Sequence, residues 1–193
     1  MIRLVEHHIF IPGISLLFFI LFSASLVHGK TYSVFSPHKK IEVKIQVDQA
    51  ITYSVNYQSN PLINWSPISM ALGGGRILGR NSKIKNIKEN TVNKVIPTIV
   101  SEKRSDVVDY YNEIILNFGD DYGLIVRAYN DGFAYRFVTH FGGKVKVVSE
   151  QASFNFPDDF SVYFPEAESF HMSFENTYSR LALSEIGSEK MGS

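Results

Sequence analysis

After its first 29 residues, the chain alternates apolar and polar residues with a period of two over most of its length. Successive side chains of a β-strand point to opposite faces, so this alternation predicts strands with one face in a core and the other in water. The clearest runs are IEVKIQV (41–47), ITYSVNY (51–57), EIILNF (113–118), GLIVRAY (123–129) and FAYRFV (133–138). Helical spacing does not extend anywhere in this region over the roughly ten residues that a helix needs.

Weaker patterns occupy the rest of this region. PISMAL (67–72) predicts a short strand, and residues 83–93 predict an exposed strand between polar loops. KVKVVS (144–149) and ASFNF (152–156) predict a continuation of the sheet, which VYF (162–164) is expected to close. About ten short strands separated by polar turns predict an all-β, antiparallel sandwich.

Turn residues separate the predicted strands. Asp131 and Gly132 lie between two alternating runs and predict a hairpin, because both residue types accept the positive φ of tight turns. QSNP (58–61) predicts a second reversal, since Asn and Pro favour turns. Residues 73–75 are three glycines, which predict a turn; a phosphate-binding loop would need a lysine and a hydroxyl residue after them.

The first 29 residues have a different character. Arg3 precedes a run without charges from Ile9 to Val27, and Val27 and Gly29 stand three and one residues before a plausible cleavage point. This layout predicts a cleavable signal peptide over 1–29, with a retained membrane anchor as the alternative. We therefore expect a periplasmic or secreted domain over 30–186, which touches a membrane only through an uncleaved signal segment. Residues 187–193 are expected to begin a truncated following segment.

The amino-acid composition excludes some classes of function. The chain has 19 Lys and Arg against 19 Asp and Glu, and this zero net charge argues against a nucleic-acid partner, which requires a dense basic surface. The absence of cysteine excludes thiol catalysis and disulfides, so the core alone must stabilise the domain.

Carboxylates and aromatic rings are the candidate site residues. Paired acids can hydrolyse glycosidic bonds, but turn positions or solvated strand faces are expected for most of the acids between 105 and 138. Arg127 and Arg136 are predicted to have cross-strand charge or stacking roles. Trp65 has two interpretations, a stacking surface for a sugar ring or a plug at the end of the sandwich, and the second is favoured. The acids between 105 and 138 are Asp106, Asp109, Glu113, Asp120, Asp121 and Asp131.

The segment FHMSFENTYSR (170–180) breaks the alternation. It contains the rings of Phe170, His171, Phe174 and Tyr178, together with a carboxylate and an arginine. A solvated loop rarely carries so many rings, so the segment is a candidate site. The residues alone, with no Ser in a Gly-x-Ser-x-Gly elbow, predict an exported β-sandwich without a complete active site.

Several stretches in order along the chain resemble the amino-terminal domain of glycoside hydrolase family 97. His38 occupies a position where the family pattern usually has Asp. The resemblance covers nearly all of the chain after the signal peptide, and the series of motifs is specific although each one is weak. The stretches are TYSVFSPHKKIEVKIQV (31–47), PISMAL, RSDVVDYYNEIILNF (104–118), LIVRAYNDGFAYRFV (124–138), FNFPDDFSVYFP (154–165) and SFENTYSRLALSEI (173–186).

The resemblance implies an exported, calcium-dependent α-glucosidase or α-galactosidase. In this family the amino-terminal domain is a β-super-sandwich of the galactose mutarotase type, and it packs on a (β/α)₈ barrel that carries the catalytic carboxylates. The resemblance therefore implies that this chain lacks the catalytic domain, has no catalytic residue and is inactive alone, and that the missing barrel contacts the oligosaccharide substrate. The alternatives are a stand-alone exported carbohydrate-binding sandwich and a purely structural exported domain.

The resemblance also implies one metal ligand in this chain. The family lends a glutamate from this domain to a calcium ion that barrel glutamates hold for the most part, and the matching position is Glu175. A carboxylate suits this role because Ca²⁺ prefers oxygen ligands. Glu166, Glu168 and Glu185 have no such match and are expected to be solvated.

Overall fold

A computed structural model of the chain describes residues 29–97, 106–165 and 177–187, so the signal peptide prediction lies outside the described residues. The described residues form β-strands and one 3₁₀ turn, Leu183–Glu185, and none of their helices is long and apolar enough to cross a membrane. The strands are β1 (Lys30–Phe35), β2 (Ile41–Val47), β3 (Ile51–Tyr57), β4 (Asn60–Leu72), β5 (Ile77–Leu78), β6 (Ile84–Pro97), β7 (Asp106–Phe118), β8 (Tyr122–Tyr129), β9 (Phe133–Thr139), β10 (Val147–Ala152), β11 (Ser161–Pro165) and β12 (Tyr178–Ala182).

The strands form three antiparallel sheets. The first has six strands in the order β1-β2-β3-β4-β10, with β5 pairing against β4. The second has four strands in the order β6-β7-β8-β9, and β11 and β12 form a small third sheet. Antiparallel neighbours that follow each other in sequence need only short turns, which the Gly, Asn and Asp residues between the runs supply.

The hydrophobic core lies between the first two sheets. In β2 every second residue is buried, so the apolar half of IEVKIQV faces inward and its polar half faces water. Val43 and Ile45 from the first sheet join one buried cluster with Leu116, Leu124 and Val126 from the second. The sandwich prediction is confirmed, because alternation makes each sheet apolar on one face only and two such faces exclude water by packing together.

Two tyrosines reinforce the contact between the sheets. The buried ring of Tyr53 in β3 lies 5.5 Å from Phe133 and 5.8 Å from Tyr135 of β9, and its hydroxyl donates to the Ser153 carbonyl at 2.8 Å. Burial raises the pKa of Tyr53 to about 12, with a smaller contribution from Tyr135, so the hydroxyl remains a donor at physiological pH. On the other side, the hydroxyl of Tyr122 in β8 accepts from the Gly79 amide at 3.1 Å.

The clearest alternating runs match the strands. The runs at 41–47 and 51–57 coincide with β2 and β3, and those at 123–129 and 133–138 with β8 and β9 to within one residue. The strands β4, β6 and β7 are longer than their apolar runs. In β4 the pairing with β3 continues through two register shifts as far as Asn60, and alternation does not reveal such shifts.

The predictions for the last third of the sheet are wrong in part. The strand β10 covers 147–152 instead of two strands at 144–149 and 152–156. After Ala152, the contact with β4 continues through a hydrogen bond from the Ser153 amide to the Pro67 carbonyl and a bridge between Asn155 and Asn64. The run at 162–164 lies in β11, which pairs with the unpredicted β12 and does not close the main sheet. Alternation identifies a strand but not its partner.

The hairpin turns also differ from prediction. In the first reversal the turn residues are Gln58 and Ser59, both with positive φ, and β4 already begins at Asn60. Two consecutive residues with positive φ are typical of a type I′ turn. The hairpin at residues 130–132 is confirmed, but no residue in this loop has positive φ; instead the Tyr129 amide donates to the Gly132 carbonyl at 2.8 Å.

The β3–β4 hairpin provides the first test. Replacing Gln58→Asn together with Ser59→Gly should stabilise the protein by about 0.5–1 kcal/mol, because it relieves two side chains held at positive φ. Urea unfolding should measure the gain. As a control of opposite sign, Gly79→Ala should destabilise, since Gly79 has φ +89° and its added Cβ would lie 2.8 Å from the Ile68 carbonyl. A destabilised double variant would contradict this interpretation of the turn.

Candidate functional site

Glu113 and Arg127 form a paired cluster on the outer face of the four-stranded sheet. They lie directly opposite each other in β7 and β8, and Glu113 is buried although it alternates with the core residues of its strand. The Arg127 Nε donates to Glu113 Oε2 at 2.9 Å, and Asn90 Nδ2 of β6 donates to Glu113 Oε1 at 3.0 Å. The guanidinium lies 4.3 Å from the centre of the Tyr111 ring. The prediction of a cross-strand charge and stacking role for Arg127 is confirmed.

The electrostatics of this cluster favour a structural role. Burial lowers the pKa of Arg127, but hydrogen bonds with Tyr129 and Glu113 outweigh it, so the pKa of the guanidinium is raised. Burial also acts on Tyr111, whose pKa it raises, and the positive charge of Arg127 opposes this increase. Because the two Glu113 oxygens accept hydrogen bonds from the strands on either side, the cluster joins β6, β7 and β8.

The remaining acids of this region do not converge. Asp109 pairs with Lys94 at 3.5 Å along the β6–β7 ladder, and Asp121 occupies a turn with φ 54°. Asp120 and Asp131 also lie in turns, and Asp106 begins β7. Within the described ranges, no three His, Asp or Glu side chains form a group that could hold a metal ion.

Trp65 does not plug the sandwich, and the interpretation favoured from the sequence is wrong on this point. The residue is 42% exposed. Asn155 is hydrogen-bonded to the strand at this point. Its side-chain Nδ2 donates to the Trp65 carbonyl at 2.8 Å, and its backbone amide donates to Ser66 Oγ at 2.9 Å. A bulge in β4 turns Ser66 into the core and leaves the indole in solvent, and sequence alternation gives no sign of this bulge.

The segment 170–180 is only partly described. Glu175, Phe170, His171 and Phe174 lie outside the described residues. Tyr178 and Arg180 lie in β12, where Tyr178 pairs with Pro165 and Arg180 pairs with Tyr163 of β11. Tyr163 is 74% exposed and Tyr178 is 66% exposed. One face of the small sheet therefore presents two solvent-exposed tyrosines next to the segment that contains Glu175.

Asp159 fixes the end of this small sheet. Its Oδ1 accepts from the Ser184 amide at 2.9 Å and its Oδ2 accepts from Ser184 Oγ at 2.7 Å. These hydrogen bonds lower the pKa of the Asp159 carboxyl. The Leu183 amide also donates to the Phe160 carbonyl at 3.0 Å. The 3₁₀ turn after β12 is thereby joined to the loop before β11, which positions the two strands.

The described residues do not fit a complete calcium site. Ca²⁺ takes roughly six to eight oxygen ligands, and one carboxylate supplies at most two of them. Since no metal-binding group occurs in the described parts of the chain, an ion that uses Glu175 would need most of its ligands from other residues.

Sequence reasoning identified some of these residues and missed others. It named Glu113 and Arg127 separately, although their pairing could be inferred once β7 and β8 were recognised as hairpin neighbours. It missed Asp159 and the exposed Tyr163. No local pattern signals either one, because their roles depend on the pairing of β11 with β12.

Comparisons with known proteins agree with this geometry. The chain matches the family model described as glycosyl-hydrolase 97 N-terminal over residues 34–192. It is 31% identical over 185 residues to a protein of Bacteroides thetaiotaomicron named retaining alpha-galactosidase, and the match covers 91% of this chain. The chain spans only 28% of the length of that relative.

Solved structures share the fold. A glycoside hydrolase family 97 enzyme from Pseudoalteromonas sp. strain K8, in complex with panose, superposes with a TM-score of 0.69 at 20% identity over 80% of this chain and 25% of its own. A beta-arabinopyranosidase superposes with a TM-score of 0.66 at 25% identity, over 77% of this chain and 26% of its own. In each case this chain corresponds to about a quarter of the larger protein.

The buried ion pair gives the second test. Glu113→Ala should destabilise the protein by about 2 kcal/mol, because Arg127 and Asn90 lose their acceptor. The loss is smaller than for a fully buried pair, since the Arg127 side chain remains 31% exposed. Asp109→Ala breaks the more exposed pair with Lys94 on the same strand and should cost about 0–1 kcal/mol. Equal losses in urea unfolding would contradict a special role for Glu113.

Proposed function

The chain belongs to the glycosyl-hydrolase 97 N-terminal family, and from that premise we propose that it is the amino-terminal domain of an exported, calcium-dependent α-glycosidase. The observation that carries the proposal is the family match over residues 34–192, which runs through Glu175. Export to the periplasm or beyond is supported by the uncharged run at 9–27 after Arg3.

In this proposal the domain supports catalysis without performing it. The catalytic carboxylates come from a (β/α)₈ barrel in the parent polypeptide, and this domain forms one wall of the active site. The cluster of Glu113, Arg127 and Asn90 supports a structural role, because the Glu113 carboxylate accepts hydrogen bonds from both neighbouring strands. The exposed tyrosines of β11 and β12 support placing the β11–β12 side of the domain towards the barrel.

The substrate class follows from the relatives in this proposal. The 31% identical relative is named an alpha-galactosidase, which supports an α-galactoside as substrate. An α-glucoside is the second substrate that the family resemblance supports. The 25% identical solved relative is a beta-arabinopyranosidase, so a β-arabinopyranoside belongs in the same assay.

Glu175 is proposed to lend one calcium ligand across the domain boundary. When bound, the ion would orient the sugar and stabilise the charge that develops as the glycosidic bond breaks. The carboxylate of Glu175 supplies hard oxygen ligands of the kind that calcium prefers. The rest of the coordination shell would come from the barrel, in keeping with the lack of a metal-binding group in the described residues.

The parent polypeptide gives the third test. It should hydrolyse nitrophenyl α-galactoside or α-glucoside in a calcium-dependent manner, and Glu175→Gln should raise the calcium concentration needed for half-maximal activity by roughly 10–100-fold. Glu168→Gln changes a nearby acid with no family match and should leave the calcium requirement unaltered.

The chain alone serves as the metal-binding control. Calorimetry should find calcium binding weaker than micromolar, because a single carboxylate cannot complete the coordination shell. A parent protein that cleaves none of the three glycosides at any calcium concentration would disprove the proposed function.

A stand-alone carbohydrate-binding module is the second candidate. The exposed indole of Trp65 supports it, because one face of a pyranose ring packs well against an aromatic ring in solvent. Asn155 holds the backbone at this position, because its Nδ2 donates to the Trp65 carbonyl, and an ordered backbone loses less entropy when a ligand binds.

Titration gives the fourth test. If the module hypothesis is correct, maltooligosaccharides should quench the single tryptophan with a Kd of about 1 mM or tighter, and Trp65→Ala should abolish binding in calorimetry. Tyr57→Ala is a matched control, because Tyr57 is also 42% exposed and should not affect the titration. No binding at several millimolar sugar would eliminate this candidate and leave the enzyme proposal intact.

A further inference from the structure

Two loops meet at one end of the sandwich and enclose a cleft. The turn between β4 and β5, residues 73–76, lies next to the loop between β9 and β10, residues 140–146. The two are joined because the Gly73 amide donates to the Lys146 carbonyl at 2.8 Å. Together they line an open cleft of about 380 Å³. A cleft of this size can hold a small molecule or a short part of a polymer.

Three cations line this cleft. They are Arg76, Lys144 and Lys146, and all three residues are exposed. In the described parts of the chain, none of the three forms an ion pair with a carboxylate, because the ion pairs there join other side chains. The cleft therefore concentrates unpaired positive charge, although the net charge of the whole chain is zero.

Two of these cations are held in place by their neighbours. The Arg76 guanidinium lies 4.1 Å from the centre of the Phe141 ring and donates one hydrogen bond to the Asp120 carbonyl. Lys146 packs over Gly73, since a Cβ added at Gly73 would lie 3.4 Å from the Lys146 Cβ and 3.8 Å from its Cδ. Ordered cations lose less side-chain entropy when they bind an anion than freely rotating ones do.

Glycines form much of the remaining surface in and beside the cleft. A Cβ added at Gly74, Gly75, Gly142 or Gly143 would meet no atom within 4 Å. Backbone without side chains allows the close approach of a ring and offers amide and carbonyl groups to its hydroxyls. Val145, which is 37% exposed, adds an apolar contact. These surroundings suit a hydroxylated ring that carries an acidic group.

We propose that this cleft binds an acidic sugar of a polysaccharide, whose carboxylate or sulfate is held by Arg76, Lys144 and Lys146. A guanidinium suits such a group, because its N–H donors match two oxygens at once. The proposal rests on the proposed function, since an exported glycosidase acts on glycans. It adds that the polymer carries acidic sugars besides the neutral residue that is cleaved. Three cations are too few for the dense basic surface that a nucleic acid requires.

Calorimetric titration with oligogalacturonides, which are chains of a carboxylated sugar, tests the proposal. The 193-residue chain should bind them at low ionic strength with a Kd of about 1 mM or tighter. Lys144→Gln/Lys146→Gln should weaken this binding at least about tenfold and leave any titration with neutral maltooligosaccharides unaltered. Salt at about 0.5 M should weaken the binding to a similar extent, because it screens exposed charges.

A second pair of lysines provides the matched control. Lys39→Gln/Lys40→Gln removes the same charge from the exposed turn between β1 and β2 and should leave the Kd for oligogalacturonides unchanged. Lys144→Arg/Lys146→Arg keeps the charge of the cleft and should retain binding to within about threefold.

Four results would overturn the proposal. Equal losses in the two Gln double variants would show an effect of net charge alone. Inorganic sulfate bound as tightly as oligogalacturonide would identify a simple anion site. Polyglutamate bound as tightly would identify an acidic peptide as the ligand. Oligogalacturonides that fail to bind at several millimolar and low ionic strength would eliminate the site.

The failure of this proposal is distinguishable from the failure of the proposed function. Binding that depends on Lys144 and Lys146, in a parent protein that cleaves none of the three glycosides, would uphold the site and refute only the enzyme proposal. An active parent glycosidase that does not bind oligogalacturonides would refute only the site.

Discussion

The structure depends on the burial of two one-sided apolar sheets against each other. Neither sheet is stable alone, because its inner face would leave Val43 and Ile45, or Leu116 and Leu124, in water. Without disulfides, this contact is the main source of stability, and the tyrosine contacts between the sheets strengthen it. A rigid sandwich in turn gives fixed positions to every strand end and loop that it carries.

Polar interactions in this domain hold strands and turns in position. The carboxylate of Glu113 accepts from Arg127 and Asn90, and that of Asp159 accepts from the amide and hydroxyl of Ser184. Each joins elements that the hydrophobic core does not reach: the outer faces of β6, β7 and β8 in one case, and the small sheet in the other. Such a domain is suited to present side chains to another part of a protein.

Exposed apolar and aromatic groups occur at several places on the described surface. Trp65 lies on the outer surface of β4, and Tyr163 and Tyr178 lie on the small sheet. Two exposed aliphatic pairs, Val95 with Val108 and Ile96 with Val107, lie between β6 and β7. Large contiguous apolar patches mark contact surfaces, whereas single exposed apolar residues are common on any protein. The chain itself spans about a quarter of the length of these relatives.

The sequence by itself determined the fold class and the family, and it located β2, β3, β8 and β9 almost to the residue. Short stretches of sequence are sufficient for these features, because alternation over seven residues already shows which face of a strand is apolar. Only the tertiary structure decided strand partners, and with them the bulge that exposes Trp65, the pairing of Tyr163 with Arg180, and the acceptor role of Asp159. Partners are chosen by contacts between residues far apart in the chain, and a local pattern carries no information about those contacts.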